Sequence, residues 1–310
     1  MTDRIPVRVR PMLATLVKKP FHKDGWVYEE KYDGYRILAY KEGRRVTLLS
    51  RNAKDRTEVF SGIAKAVAKL PGRTLLLDGE VVAFDSHWVS RFQLLQNLKV
   101  EPSYAAFDCL YRNGRDLRAT PLAERRDELE NVVGRTADKR ERIFLASRLA
   151  GNGLEAFQVA RKTGYEGLVA KDASAPYIER RSNKWLKVKV RQEDEFLIVG
   201  YTRPSGARKY FGALLLAAYN KGQLQYVGRL GTGFGQETLA QLYRKFQPLV
   251  RQKPPLADLP RAKGVTYLAP RLVAQVAYEE LTTDRKLRQP VFLGLRDDKL
   301  PQDVTLPEAT

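Results

Sequence analysis

The sequence predicts an α+β protein, with antiparallel sheets and flanking helices first and a small β-barrel after them. Three observations carry this. Short apolar β-patterns alternate with amphipathic helices up to about Val190. Beyond that point short strands with Gly-bearing turns dominate, and a single helix interrupts them. The chain has 310 residues, 43% of them hydrophobic, enough for two ordinary domains with real cores. The expected domains are residues 1–191 and 192–310.

The elements follow in order. Residues 26–32, 35–40 and 46–50 read as strands separated by Asp33-Gly34 and Glu42-Gly43 turns. Val59, Ile63, Ala66, Val67 and Leu70 recur at helical spacing, which predicts a helix over 59–70. Residues 74–84 and 104–111 are β-rich. Pro121 opens a helix to 133, because its missing N–H is unneeded in a first turn. A further helix is expected over 154–163 and strands over 167–170 and 185–190. After the polar stretch 192–194, a candidate hinge, strands are expected at 195–201, 213–219, 224–230, 265–267 and 272–280, with a helix at 236–246. Several short strands and one helix in about a hundred residues fit an OB-type barrel.

Charge narrows the partners. Lys and Arg total 55 against 36 Asp and Glu, a formal net charge of +19. The cations are spread along the chain, which suggests a basic face on a folded body and a polyanionic partner. The run of about 18 or more apolar residues that a membrane helix needs does not occur. The first ten residues have arginines but no apolar signal core. One cysteine, Cys109, supports neither an internal disulfide nor a cysteine zinc site and suits a reducing cytoplasm.

Four segments carry candidate chemistry. In Glu29-Glu30-Lys31-Tyr32-Asp33-Gly34-Tyr35-Arg36, a lysine at a strand end precedes a tight turn and an arginine. A lysine is a covalent nucleophile once its amine is neutral, which nearby cations and desolvation favour. Arg36 suits a phosphate on the same substrate. Alone, the segment also fits a plain hairpin with a charged tip. Asp78-Gly79-Glu80 and Tyr165-Glu166-Gly167 each put a glutamate in or beside an apolar β-run. Such glutamates are uncommon unless paired with a cation, a metal or a ligand. Glu80 and Glu166 therefore suit a hydroxyl contact and a Mg²⁺ site. Trp185-Leu186-Lys187-Val188-Lys189 points both lysines to one face of a strand.

In order and spacing, these segments resemble the motifs of the covalent lysine nucleotidyltransferases, the superfamily of ATP-dependent DNA ligases, RNA ligases and mRNA capping enzymes. The series is Lys31-x-Asp33-Gly34-x-Arg36, Asp78-Gly79-Glu80, Phe107-Asp108-x-Leu110, Glu166-Gly167-Leu168-Val169-x-Lys171 and Lys187-Val188-Lys189. Arg288-Gln289-Pro290-Val291-Phe292-Leu293-Gly294-Leu295-Arg296-Asp297-Asp298-Lys299 resembles the final OB-domain motif. Pro11-Met12-Leu13-Ala14, Gly25-Trp26 and the Leu295–Lys299 ending are most similar to the ligase module of bacterial ligase-D end-joining enzymes. The resemblance covers about residues 10–300.

It implies a nucleotidyltransferase (adenylation) domain followed by an OB-fold, and an ATP-dependent DNA ligase that seals nicks through a lysyl-AMP intermediate. Lys31 would attack the α-phosphorus of ATP. Glu29 would read adenine, with Glu30 contributing through its backbone. Arg36 and Arg51 would contact ribose or phosphate, Glu80 the ribose hydroxyl, and Phe107 would stack on adenine. Glu166, with Glu80, would hold Mg²⁺ or Mn²⁺. Arg181 would contact the nucleotide, and Lys187 and Lys189 the α-phosphate. Arg36, Lys187, Lys189 and Mg²⁺ would depress the Lys31 pKa. Arg296 would serve catalysis, with Arg288 and Lys299 beside it on ATP.

The implied partner is nicked double-stranded DNA, with Ku or polymerase and nuclease modules of end joining. A monomer in the bacterial cytoplasm, at the nucleoid, is expected. An RNA ligase and a GTP-using capping enzyme are the rivals within the superfamily. A non-catalytic DNA-binding module is the rival outside it, but such a module need not retain Lys31, Glu80, Glu166, Lys187 and Lys189 together.

Overall fold

The computed structural model describes residues 5–96, 100–135, 137–190, 192–206, 208–259 and 264–307. The chain divides into two compact units, Met1–Val190 and Arg191–Thr310. Residue 191, where the sequence places the domain boundary, lies outside the described residues, as do residues 1–4.

In chain order the first unit contains β1 (Leu13–Leu16), β2 (Trp26–Glu30), β3 (Tyr35–Glu42), β4 (Arg45–Ser50), α1 (Ser61–Lys69), β5 (Thr74–Val82) and α2 (Phe92–Gln96). It continues with β6 (Ser103–Arg112), β7 (Arg115–Asp116), α3 (Leu122–Val133), β8 (Ile143–Leu145), β9 (Arg148–Ala150), α4 (Gly153–Thr163), β10 (Gly167–Asp172) and β11 (Arg181–Lys189). Two sheets form. One is ordered β1-β11-β10-β2-β9, the other β4-β3-β5-β6-β7 with β8 added on β6.

Alternation along each strand decides the layers. Ile37, Ala39, Leu75 and Leu77 point outward to Ile63 and Val67 of α1 and Leu129 and Val132 of α3. Leu38 and Leu76 point the other way, into a cluster with Phe107, Tyr177 and Trp185 that joins the two sheets. Trp26, Tyr28, Leu168, Ala170 and Val188 cover the far face of the first sheet, against Ala156 of α4. Asn152 caps α4 by accepting from the Leu154 amide at 2.8 Å, and Gly164 ends the helix in a left-handed conformation.

One of the two expected turns needs correction. Glu42-Gly43 does turn a hairpin, with Glu42 paired to Arg45. Asp33-Gly34 does not: β2 pairs with β10 and β9, whereas β3 pairs with β4 and β5. The segment is a crossover between sheets, and Lys31 lies at its start. Gly34 is required there, since a Cβ would come within 2.1 Å of the Val81 carbonyl oxygen.

The second unit contains β12 (Glu193–Thr202), β13 (Leu214–Asn220), β14 (Gln223–Leu230), α5 (Gln236–Phe246), β15 (Val250–Arg251), β16 (Val265–Ala277) and β17 (Val291–Leu295). The sheet is ordered β14-β13-β12-β16-β15, with β17 also on β16. Phe292 N donates to Thr232 O at 3.0 Å, which joins β17 to the segment after β14 and closes an OB-type barrel. Its core includes Phe196, Phe211, Leu216 and Val227, with Leu239, Leu242 and Phe246 from α5.

The strands expected at 265–267 and 272–280 are one continuous strand. Its pairing with β12 jumps from Tyr267 opposite Gly200 to Leu272 opposite Ile198, so Pro270 sits in a bulge and costs no ladder bond. The stretch 192–194, read as a hinge, is tied into the barrel. Tyr278 N donates to Gln192 O, and Glu193 and Asp194 pair with Ala277 and Val276.

Candidate active site

The register of the first sheet builds the site. Directly opposed residues of neighbouring strands share a face. Glu29, Val169 and Lys187 form one row, and Val27, Lys171 and Trp185 the next. Gly167 pairs with Lys189, and the Lys31 amide donates to the Gly167 carbonyl at 3.1 Å. Gly167 permits this close weave, because a Cβ would meet the Val188 oxygen at 2.1 Å. Arg36, Asp78 and Glu80 share the inward face of the other sheet with Leu38 and Leu76.

The Lys31 ammonium donates to Glu166 Oε2. Burial pulls the Lys31 pKa down, but Glu166, then Asp33 and Glu80, outweigh it and hold the ammonium above its ordinary value. This reverses the expected depression. Lys31 is in direct contact with the Glu166 carboxylate, so the carboxylates dominate before a ligand binds. Burial pushes Glu166 up, yet Lys31, Lys189 and Lys187 together hold it below the usual carboxylate range. Lys31, Glu166, Lys187, Lys189 and Glu80 therefore form one electrostatic cluster.

Beside it lies an aromatic floor. Phe107 and Trp185 meet edge to face, with centroids 6.1 Å apart. The Arg36 guanidinium carbon lies 4.3 Å from the Phe107 centroid, and Lys171 Nζ lies 4.5 Å from it. Arg36 also donates to Asp78 at 2.5 and 2.7 Å, and Tyr177 Oη donates to Asp78 at 2.6 Å. Glu29 is held by Lys171 at 2.5 Å and Arg126 at 3.3 Å. Burial lowers the Lys171 pKa, and Glu29 works against that fall. Glu30 faces away from this cluster, among the side chains of the other sheet face, and forms an ion pair with Lys139 at 2.7 Å.

Other expected residues stand apart. Arg51 follows β4 and is partly exposed. Arg181 opens β11, is exposed, and donates to the Ala14 carbonyl at 2.6 Å. In the second unit, exposed Arg288 donates to Glu280 at 2.9 Å, and Lys299 pairs with Glu195 at 2.9 Å. Arg296 lies in a different setting from these two. Its guanidinium is buried and donates twice to Asp298, at 2.8 Å each, and to Gln275 at 3.1 Å. A buried guanidinium requires such a partner, and this one holds the 296–298 turn in place.

Sequence reasoning missed Lys139, Arg126 and Tyr177, and quoted Asp33, Asp78 and Lys171 without assigning them a role. Asp33 accepts from Phe92 N at 3.0 Å, and its own amide donates to Ser90 Oγ at 3.0 Å. The signal for Lys171 was present: alternation through Val169 and Lys171 places it on the face of Glu29. The partners of Asp33 and Lys139 are remote in sequence and leave no local pattern.

The geometry can be set beside known proteins. The ATP-dependent DNA ligase domain model matches residues 11–189, and the ATP-dependent DNA ligase C-terminal region matches residues 207–299. The chain belongs to the ATP-dependent DNA ligase family. It is 38% identical over 313 residues to the multifunctional non-homologous end joining protein LigD of Pseudomonas aeruginosa, covering 97% of this chain and 37% of that protein. It is 37% identical to LigD of Mycobacterium tuberculosis over 305 residues, 95% of this chain and 39% of that one. The chain thus spans about two fifths of the length of these relatives. A solved structure of mycobacterial DNA ligase D complexed with ATP and MES matches with a TM-score of 0.73 and 34% identity, over 96% of this chain and 98% of that one. Among the described residues of this ligase-family chain, no helix is long and apolar enough to cross a membrane.

Proposed function

We propose that this chain seals nicks with 3′-hydroxyl and 5′-phosphate ends in duplex DNA, using ATP and a covalent Lys31–AMP intermediate. The observation that carries this reading is the convergence of Lys31, Glu166, Lys187 and Lys189 beside the Phe107–Trp185 floor. In step one the Lys31 nitrogen forms a bond to the α-phosphorus, and the bond to pyrophosphate breaks. The lysine must first leave Glu166 and lose its proton to solvent. Lys187 and Lys189 stabilise charge on the α-phosphate, and Arg36 and Phe107 bind the nucleoside. In step two AMP passes to the 5′-phosphate. In step three the 3′-hydroxyl displaces AMP. Positioning and charge supply most of the acceleration.

Glu29, fixed by Lys171 and Arg126, presents a carboxylate acceptor to the adenine amino group. Arg51 and Arg181 are assigned to nucleotide contacts, and Glu80 to the ribose. In the second unit Arg288 and Lys299 are assigned to the triphosphate, which requires their pairs with Glu280 and Glu195 to open. Arg296 supports them as a positioning residue.

Among the described residues no group of three or more His, Cys, Asp or Glu side chains is arranged to hold a metal ion. Glu166 and Glu80, which both act on Lys31, suit Mg²⁺ or Mn²⁺, because such ions take one or two carboxylates and complete their shell with phosphate and water. When bound, the ion neutralises phosphate charge. The names of the relatives support a role in end joining. Ku or polymerase and nuclease modules as partners, and a place in the cytoplasm at the nucleoid, belong to the same proposal. A monomer and a two-domain division near residue 191 complete the reading.

Incubation with α-labelled ATP and Mg²⁺ tests the chemistry. A labelled band should appear, vanish on adding pyrophosphate, and be missing in Lys31→Ala. A band retained in that variant would overturn the assignment. Nicked DNA against nicked RNA then tests the substrate.

A further inference from the structure

One buried ammonium on the far side of β2 reaches all three segments that set the nucleophile. Lys139 lies between α3 and β8, and only 12% of its side chain is exposed. It pairs at 2.7 Å with Glu30, whose side chain is fully buried and which immediately precedes Lys31. It donates at 3.2 Å to Tyr165 Oη, the residue before Glu166. It donates at 3.0 Å to the Trp88 carbonyl. Two residues further on, Ser90 Oγ accepts from the Asp33 amide, and Phe92 N donates to the Asp33 carboxylate. The ammonium also lies 4.4 Å from the Tyr165 ring centroid, 5.1 Å from Phe84 and 5.7 Å from Tyr32.

Burying a carboxylate and an ammonium is costly, and a hydrophobic pair of similar volume is often at least as stable. The pair is therefore poorly explained by stability alone. Its contacts bracket Lys31 on both sides, through Glu30 before it and the 88–92 segment after it, and they hold the side chain of Tyr165, the residue before Glu166. The geometry points to Lys139 as a positioning residue for Lys31: it clamps Glu30, Tyr165 and the Trp88 carbonyl so that the nucleophile, its Asp33 anchor and Glu166 keep one arrangement. This rests on the reading of Lys31 as the adenylylated residue.

Glu30 makes the clamp sensitive to pH. Burial pushes its carboxyl up to about 7, with Lys139 and then Tyr32 opposing the rise. Those two and Tyr165, which shares Lys139, are the titratable side chains around it. As pH falls through that value Glu30 takes up a proton and the ion pair is lost. Adenylylation should therefore show an acid limb near neutrality, separate from the rise at higher pH due to Lys31.

The test compares the full chain with Glu30→Gln and with the double variant Glu30→Gln/Lys139→Met, which removes both buried charges and so protects the fold. Single-turnover AMP transfer is measured against ATP concentration and pH, and amide hydrogen exchange is measured without ATP. In the double variant the rate constant should fall by about tenfold while the KM for ATP stays within about twofold. Exchange at the Lys31 and Asp33 amides should quicken by about tenfold. In Glu30→Gln the acid limb should disappear and the alkaline rise remain. A double variant with wild-type rate and exchange would overturn the assignment, and an acid limb that persists in Glu30→Gln would overturn the role of Glu30. If the unaltered chain takes no label, the adenylyl-transfer reading fails. Unchanged exchange would still overturn the positioning role, and faster exchange would support it.

Discussion

Lys31 and Glu166 are joined twice: the Lys31 ammonium donates to the Glu166 carboxylate, and the Lys31 amide donates to the carbonyl of Gly167, the next residue, at 3.1 Å. The backbone bond sets the distance at which the side-chain pair operates. Because Glu166 holds the Lys31 ammonium above its ordinary value, the free amine appears only at high pH until that contact is broken. Glu166→Gln should move the alkaline rise of AMP transfer to lower pH while reducing its plateau. Labelling rates across a pH series check this, and a shift to higher pH would contradict it.

The same pair has a signature in stability. A raised lysine pKa contributes stability that is fully present below the ordinary value of 10.5 and is lost as pH rises through the folded value. The lowered Glu166 pKa contributes stability above the ordinary value of 4.5, lost as pH falls through the folded value. Lys31→Ala should therefore flatten the alkaline arm of the stability profile. Urea midpoints measured from neutral to alkaline pH would show it, and an unchanged arm would count against the pairing.

Arg125 and Asp108 form a fully buried bidentate pair at 2.7 and 2.9 Å. Arg125→Leu should destabilise the first unit by about 3–5 kcal/mol, because Asp108 is left charged and unpaired. Burial raises the Asp108 carboxyl, and Arg125 opposes this. The loss should therefore shrink at acid pH, where Asp108 is neutral. Chemical denaturation at neutral and acid pH measures both.

Gly167→Ala should be more damaging to catalysis than its size suggests. The added methyl would press on the Val188 oxygen at 2.1 Å and part β10 from β11. That separates Lys31 and Glu166 from Lys187 and Lys189, so AMP transfer should fall by about a hundredfold or more. Quantified labelling, with a melting curve to show that the chain still folds, would test this.

Arg296 and Asp298 should behave as one unit. Arg296→Ala and Asp298→Asn should each lower the stability of the second unit by about 3 kcal/mol, and the double variant should cost little more than either. Additive losses in denaturant unfolding would argue that the two act separately.

Duplex affinity should fall steeply with salt. A +19 chain that neutralises several phosphates releases their counterions on binding. A plot of log affinity against log salt, measured with nicked duplex, should slope downward by about one per phosphate contact. A flat plot would contradict a DNA clamp.

Much was legible in the sequence because local chemistry and periodicity determined it. The α5 helix appears over the expected residues, Gln236–Phe246. Lys187 and Lys189 share a face because strands alternate, and Glu80 points inward for the same reason. The order of the lysine, glutamate and lysine-pair motifs determined the family. The tertiary structure alone decided which strands lie together. It turned Asp33-Gly34 from a possible hairpin into a crossover between sheets, and it merged two expected strands into one through a bulge at Pro270. It also decided charge. Whether Lys31 is driven up or down depends on which ion is nearest, and Glu166 lies 135 residues away along the chain. Arg296 is expected from its motif to act on ATP, and burial pairs it with Asp298, which no local pattern showed. Lys139 carries no motif at all, since its partners Glu30, Trp88 and Tyr165 meet only when three segments fold around one ammonium.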